Sequence, residues 1–115
     1  MGFAPETEKL IEQLINAEYL NAVVNFGEKY NSLHEGYAVL LEEVEEVKSE
    51  FDKLVTNTEW IWKEIKDFNN TIYDRTELIH LCEKATDHTY DTISELAQVG
   101  AVLMKIRKTL CGVVK

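Results

Sequence analysis

The sequence predicts an all-α protein, a bundle of long helices that forms a single domain over residues 1–115. The chain has one proline and five glycines in 115 residues, so few positions interrupt a long helix. All-β folds need a turn signal about every 8–12 residues, and this chain does not provide them. Hydrophobic residues make up 45% of the chain and charged residues 29%, a balance typical of a globular domain with its own core.

The first two predicted helices occupy the N-terminal half of the chain. The first starts at Pro5, a residue suited to the first turn of a helix, and ends by about Tyr30. The second starts near Leu33 and continues to Phe68, just before Asn69. Apolar residues recur along it at helical spacing, which predicts a stripe that faces the core. This predicted stripe comprises Tyr37, Leu40, Leu41, Val44, Val47, Phe51, Leu54 and Val55.

Two short sequences have the form of a capping box at the start of a helix. Thr56-x-x-Glu59 predicts a bend or a fresh start within the second helix, and Asp74-x-x-Glu77 predicts the start of the next helix. A last long apolar stripe then follows, with a polar strip beside it. Its predicted core residues include Leu96, Val99, Leu103 and Ile106.

The net charge and the cysteines exclude several classes of protein. A net charge of −9 argues against binding to a nucleic acid polymer, since phosphate contacts need clustered lysines and arginines. No apolar run approaches the roughly 18 residues that span a bilayer, so no membrane partner is expected. Residues 1–9 lack the basic start and apolar core of a signal peptide. Cys82 and Cys111 have neither zinc-site spacing nor the density of a disulfide scaffold, which predicts reduced thiols in a cytoplasmic protein.

The segment 41–50 is the strongest functional signal in the sequence. It carries five glutamates and one lysine, so like charges repel one another along the helix. On a helix that turns about 100° per residue, Glu43 and Glu46 lie on one flank of the apolar stripe, whereas Glu45 lies on the opposite, solvated flank. Glu43 and Glu46 are therefore expected to border the buried face, where a second helix can add further ligands.

The last helix carries a similar polar strip. Asp91, Glu95 and Gln98 recur at spacings of three and four residues beside the apolar stripe. If the apolar stripes of the two helices pack together, the two polar strips converge. Carboxylate and amide oxygens suit Mg²⁺, with Mn²⁺ as an alternative, because both ions prefer hard oxygen ligands. The other interpretation is an acidic helix face that is simply solvated.

The two acidic strips coincide with a pair of family motifs. Glu42-Glu43-Val44-Glu45-Glu46 resembles the E-E-x-x-E motif of the MazG-like, all-α nucleoside triphosphate pyrophosphohydrolases. Glu95-Leu96-Ala97-Gln98 corresponds to their second motif, E-x-x-D. The flanking sequences resemble small phage-type members of this superfamily. The resemblance covers residues 33–51 and 88–108, and elsewhere it extends only to helical character.

The resemblance implies a four-helix-type bundle that assembles as a homodimer or homotetramer. It implies magnesium-dependent hydrolysis of a nucleoside triphosphate to the monophosphate and pyrophosphate, in nucleotide-pool housekeeping. Glu43, Glu46 and Glu95 would match metal ligands, and Gln98 would offer an amide oxygen. Glu42, Glu43 and Glu46 would match the catalytic carboxylates. Metal ions would neutralise the phosphate oxygens and lower the pKa of an attacking water.

Two features depart from the family pattern. Gln98 stands in place of the aspartate of the second motif, which removes one charge but keeps an oxygen ligand. Asp91, on the same strip, is expected to replace part of that charge as a metal ligand. The segment between Glu46 and Glu95 is longer than is usual in the family. Gln98 favours an alternative function, a nucleotide- or protein-binding bundle that has lost catalysis, and a purely structural helical oligomer is the third possibility.

Three further residues are candidates for substrate binding. Trp60 and Trp62 can stack on a nucleobase, although tryptophans in a small bundle more often pack in the core or at a subunit interface. Lys105 can reach a phosphate, or it can complement the negative end of its helix. Asn21 interrupts the apolar pattern of the first helix, and it either lines a pocket or is exposed.

Overall fold

The computed structural model describes residues 2–114, with side chains through residue 111, and contains three α-helices in this range. Helix α1 spans Pro5–Phe26, α2 spans Leu33–Lys66 and α3 spans Ile72–Val114. The prediction of an all-α protein with long helices is confirmed. The capping sequence at Asp74 and the last apolar stripe belong to one continuous helix, so residues 2–114 form three helices and not four.

The chain divides into two compact units. Unit 1 comprises Met1–Glu45 with Ser94–Lys115, and unit 2 comprises Glu46–Ile93. Unit 1 contains α1, the first part of α2 and the last part of α3. Unit 2 is a hairpin formed by the remaining parts of α2 and α3.

Helix α1 ends at Phe26, before the end predicted near Tyr30, and Gly27 caps it. Gly27 has a φ of 87°, in the left-handed region that residues with a Cβ rarely adopt. Its backbone N–H donates a hydrogen bond of 2.9 Å to the carbonyl of Val23, which closes the last turn.

Helix α2 begins at Leu33, as predicted, because Ser32 caps it. The hydroxyl oxygen of Ser32 accepts a hydrogen bond of 3.1 Å from the backbone N–H of Glu35. The fresh helix start that was predicted at Thr56, as an alternative to a bend, is wrong, since α2 continues through this residue. The Thr56 hydroxyl donates instead to the carbonyl of Asp52, at 3.1 Å, as threonines in helix interiors commonly do.

Helix α3 begins at Ile72, slightly earlier than the predicted start at Asp74. The cap is Thr71, whose hydroxyl oxygen accepts a hydrogen bond of 3.0 Å from the backbone N–H of Asp74. Asn70 precedes it with a φ of 59°, so the chain turns sharply between α2 and α3.

The inward face of α2 is more polar than the predicted apolar stripe. Leu40, Val47 and Leu54 are half-buried, whereas Tyr37 is 62% exposed and Phe51 is 50% exposed. Part of the predicted core stripe therefore lies at the surface. The half-buried or buried positions also include Glu43, Glu50 and Asn57.

Small and polar side chains likewise occupy the inward face of α3. Leu96 and Leu103, which were predicted to be core residues, are about half exposed, at 51% and 47%. Val99 and Ile106 are half-buried. The buried residues in this part of α3 are Ala97, Ala101, Val102, Lys105 and Thr109.

In unit 1, α1 packs closely on α3 at Gly100. A Cβ atom added to Gly100 would lie only 2.9 Å from Cγ2 of Ile15 and 3.0 Å from its Cγ1. Glycine at this position therefore sets the distance between the two helices.

None of the helices over residues 2–114 carries an apolar stretch that would span a bilayer. Cys82 and Cys111 are free thiols.

We expect Gly100→Ala to lower the free energy of unfolding by about 1 kcal/mol. Alanine gains about 1 kcal/mol of helix propensity over glycine, but overpacking against Ile15 costs about 1–3 kcal/mol. Urea denaturation measures this difference. In an Ile15→Ala background the overlap is removed, so the same Gly100→Ala change should be stabilising. Stabilisation by Gly100→Ala in both backgrounds would contradict the close approach of α1 and α3.

Candidate metal centre and its cavity

Glu43 and Glu95 lie side by side in unit 1. Glu43 is on α2 and Glu95 is on α3, both are half-buried, and their carboxylate oxygens approach within 4.8 Å of each other. One oxygen of each carboxylate, Oε2, is buried from solvent. The structure therefore brings together one residue from each of the two acidic strips in the sequence.

Glu46 follows Glu43 on the same face of α2. The two residues are three positions apart on α2, a spacing that returns to the same face of a helix. Glu46 is exposed and is the first residue of unit 2. The donor set fits a hard divalent cation, because it consists of carboxylate oxygens from closely spaced side chains.

A cavity of about 640 Å³ adjoins Glu43 within unit 1. Its size is typical of sites that bind small molecules. Glu42 and Glu43 line it from α2, and Gln98 and Lys105 line it from α3. The charged residues of the lining are one lysine and four glutamates, so the cavity is acidic. These four glutamates are Glu18, Glu35, Glu42 and Glu43.

Lys105 is the cation of this cavity and is almost entirely buried. Only 6% of the residue is exposed, and its Nζ lies 4.3 Å from the centroid of the Tyr30 ring. This cation–π contact holds the ammonium group in the lining of the cavity. Lys105 lies outside the last turn of α3, which ends at Val114, so it does not complement the negative end of the helix.

Tyr30 is held in place by unit 1 and keeps its proton. Its backbone N–H donates a hydrogen bond of 2.9 Å to the hydroxyl of Thr109. Burial raises the pKa of the Tyr30 phenol above its ordinary value of 10.0, and the negative charges of Glu35 and Glu43 raise it further. At neutral pH the phenol is thus a hydrogen-bond donor.

Four of the predicted site residues lie in unit 2: Glu46, and also Asp91, Trp60 and Trp62. Asp91 belongs there to a second group of potential ligands, with Glu50 and His88, whose ligand atoms lie within 4.8 Å of one another. Trp60 lines a cavity of unit 2. Trp62 is 58% exposed, and Lys66 Nζ lies 5.8 Å from the centroid of its ring.

Several residues of these sites were not predicted from the sequence. Phe26 and Tyr30 line the unit 1 cavity, as does Asn21, for which the sequence left pocket and surface positions open. A signal for these two residues is present in the sequence, because Glu50 lies seven residues after Glu43 and His88 lies seven residues before Glu95. A seven-residue spacing returns to the same face of a helix.

The chain matches no family model, no curated protein and no solved structure.

Proposed function

We propose that this protein is a cytoplasmic, magnesium-dependent nucleoside triphosphate pyrophosphohydrolase of the MazG-like type. Glu43, Glu46 and Glu95 are the proposed metal ligands. The observation that carries this proposal is the approach of the Glu43 and Glu95 carboxylates to within 4.8 Å of each other. These residues come from the two sequence motifs of the family, and Glu43 lines a cavity of suitable size for a nucleotide.

The charge of the unit 1 cavity makes a cation necessary for this function. Four glutamates and one lysine line it, so it would repel a triphosphate that approached alone. A divalent cation held by the three glutamates, with Gln98 as a further oxygen donor, would supply neutralising charge and acidify a water molecule. Nucleotide binding in this cavity is therefore expected to require Mg²⁺ or Mn²⁺.

The residues of the cavity have distinct proposed roles. Glu42 is exposed in the lining, a position from which it can accept the proton of the attacking water. Lys105 would contact a phosphate oxygen through a charge-assisted hydrogen bond. The Tyr30 phenol would donate a further hydrogen bond. Phe26 is 78% exposed at the cavity, so its ring is available to stack on a nucleobase.

We expect Glu43→Gln and Glu95→Gln each to reduce turnover by about 100-fold or more, because each removes a charged ligand of the proposed metal. Turnover is measured as phosphate released after inorganic pyrophosphatase converts the pyrophosphate product. Mg²⁺ and Mn²⁺ are tested with a panel of standard and modified nucleoside triphosphates. Glu45→Gln is the matched control, since it makes the same change in charge at an exposed position of α2 and should leave turnover unchanged.

Absence of pyrophosphate from every triphosphate would contradict the enzymatic proposal. Equal turnover by the wild type and Glu43→Gln would contradict the assignment of the ligands.

Gln98 supports a second candidate function, a nucleotide-binding protein that has lost catalysis. It lines the cavity at the position where the family motif has aspartate. Calorimetry that detects a metal-dependent complex with a triphosphate, without formation of product, would favour this function. Turnover gained by Gln98→Asp would then identify the missing carboxylate as the cause.

A homodimer or homotetramer is also part of the proposed function. Six large apolar residues at helical spacing on α2 are 40–62% exposed, a surface suited to contact with a second copy of the chain. These residues are Leu33, Tyr37, Leu41, Val44, Phe51 and Val55.

We expect Val44→Glu to shift the protein towards the monomer, because it places a charge in the middle of this apolar surface. Light scattering coupled to size-exclusion chromatography measures the mass. Ser49→Glu, an exposed polar position on the same helix, is the control and should keep the wild-type mass. A wild-type protein that is monomeric at every concentration tested would contradict the oligomer.

A further inference from the structure

We propose that a second cavity, in unit 2, binds a small ligand that combines a planar ring with an anionic group, the chemistry of a nucleoside monophosphate. The cavity has a volume of about 480 Å³ and lies between α2 and α3. Its charged, amide and aromatic lining residues are Lys53, Asn57, Trp60, Lys84, Asp87 and His88. All of these residues belong to Glu46–Ile93, so binding here does not depend on the function proposed for unit 1.

Asn57 is the residue that points most directly to a ligand. Only 4% of it is exposed, and its amide nitrogen Nδ2 has no hydrogen-bond partner among the described residues. A buried donor without an acceptor is unfavourable, and buried polar groups are therefore nearly always paired. Because Asn57 lines the cavity, an acceptor oxygen of a bound ligand can supply the missing hydrogen bond.

The charged residues of the lining favour an anion. Two lysines and one aspartate, Asp87, line the cavity, so its fixed charges sum to a positive value, although the chain has a net charge of −9. Lys53 forms an ion pair with Glu50, with 3.0 Å between Lys53 Nζ and Glu50 Oε1. Lys84 forms no ion pair within residues 2–111. His88 directs its Nδ1 towards Glu50 Oε2, at 3.8 Å. Lys84 is thus the cation most available to a phosphate group.

Trp60 supplies the planar surface for a ring. The residue is 47% exposed at the cavity, and indole faces stack on any nucleobase with little dependence on its identity. Trp62 is also exposed but does not line this cavity. Trp60 can therefore report on binding through its fluorescence, and Trp62 serves as the control.

A fluorescence titration in the presence of a metal chelator tests this inference. The chain has two tryptophans, so Trp62→Phe leaves Trp60 as the only one. AMP, GMP, CMP and UMP are added separately, and we expect at least one of them to change the Trp60 emission saturably. In Trp60→Phe, where Trp62 is the reporter, no saturable change is expected. Calorimetry on the wild type gives the dissociation constant.

Substitutions then locate the bound nucleotide. Asn57→Leu and Lys84→Gln should each weaken binding by about tenfold or more, because the first removes the amide donor and the second removes the positive charge that attracts the phosphate. Lys9→Gln, which changes an exposed lysine of α1, should bind as the wild type does. Circular dichroism checks that Asn57→Leu is folded, and the exposed Lys84 tests the inference even if that variant does not fold.

Three outcomes would overturn the inference. The first is no binding of any monophosphate up to millimolar concentration. The second is inorganic phosphate, or the nucleoside without phosphate, binding as tightly as the nucleotide. The third is wild-type affinity in Lys84→Gln. Glu43→Gln separates the two proposals, because it should lose triphosphate hydrolysis and keep monophosphate binding.

Discussion

The close approach of Glu43 and Glu95 is the constraint on which the unit 1 site depends. Two carboxylates whose oxygens lie within 4.8 Å repel each other unless positive charge is nearby, and a divalent cation converts this repulsion into attraction. The two cavities also differ in the charge of their linings. The lining of the unit 1 cavity is acidic, and we propose that a cation must bind there before a phosphate can. The lining of the unit 2 cavity carries two lysines and one aspartate and is positive.

The helices were predictable because local chemistry determines most of their limits. A single proline and apolar residues at helical spacing predict long helices, and the start of α2 at Leu33 was predicted correctly. The motif at Thr56 alone could not show whether a new helix starts there or α2 continues. A serine or threonine three residues before a glutamate occurs at the start of a helix, as with Ser32 and Glu35, and also in a helix interior, as with Thr56 and Glu59. Which hydrogen bond the hydroxyl makes decides between them.

The sequence predicted the residues that α2 and α3 contribute to the candidate site, and it also predicted that their two acidic strips converge, as Glu43 and Glu95 do. Helical spacing places Glu43 and Glu46 on one side of α2, and it places Glu95 and Gln98 on one side of α3. The contribution of α1 was not predictable in this way, because it depends on the close packing at Gly100. The apolar stripes also failed to identify which residues are buried. Polar side chains such as Asn57 lie on the inward face, while large apolar ones remain exposed.

Crystals soaked in Mn²⁺, with diffraction data collected for the anomalous signal of manganese, test the central claim most directly. We expect an anomalous peak at coordination distance from carboxylate oxygens of both Glu43 and Glu95, and we expect no such peak in Glu95→Gln. A structure without a peak between these residues, or with their carboxylates on separate surfaces, would contradict the metal centre and the hydrolytic function built on it.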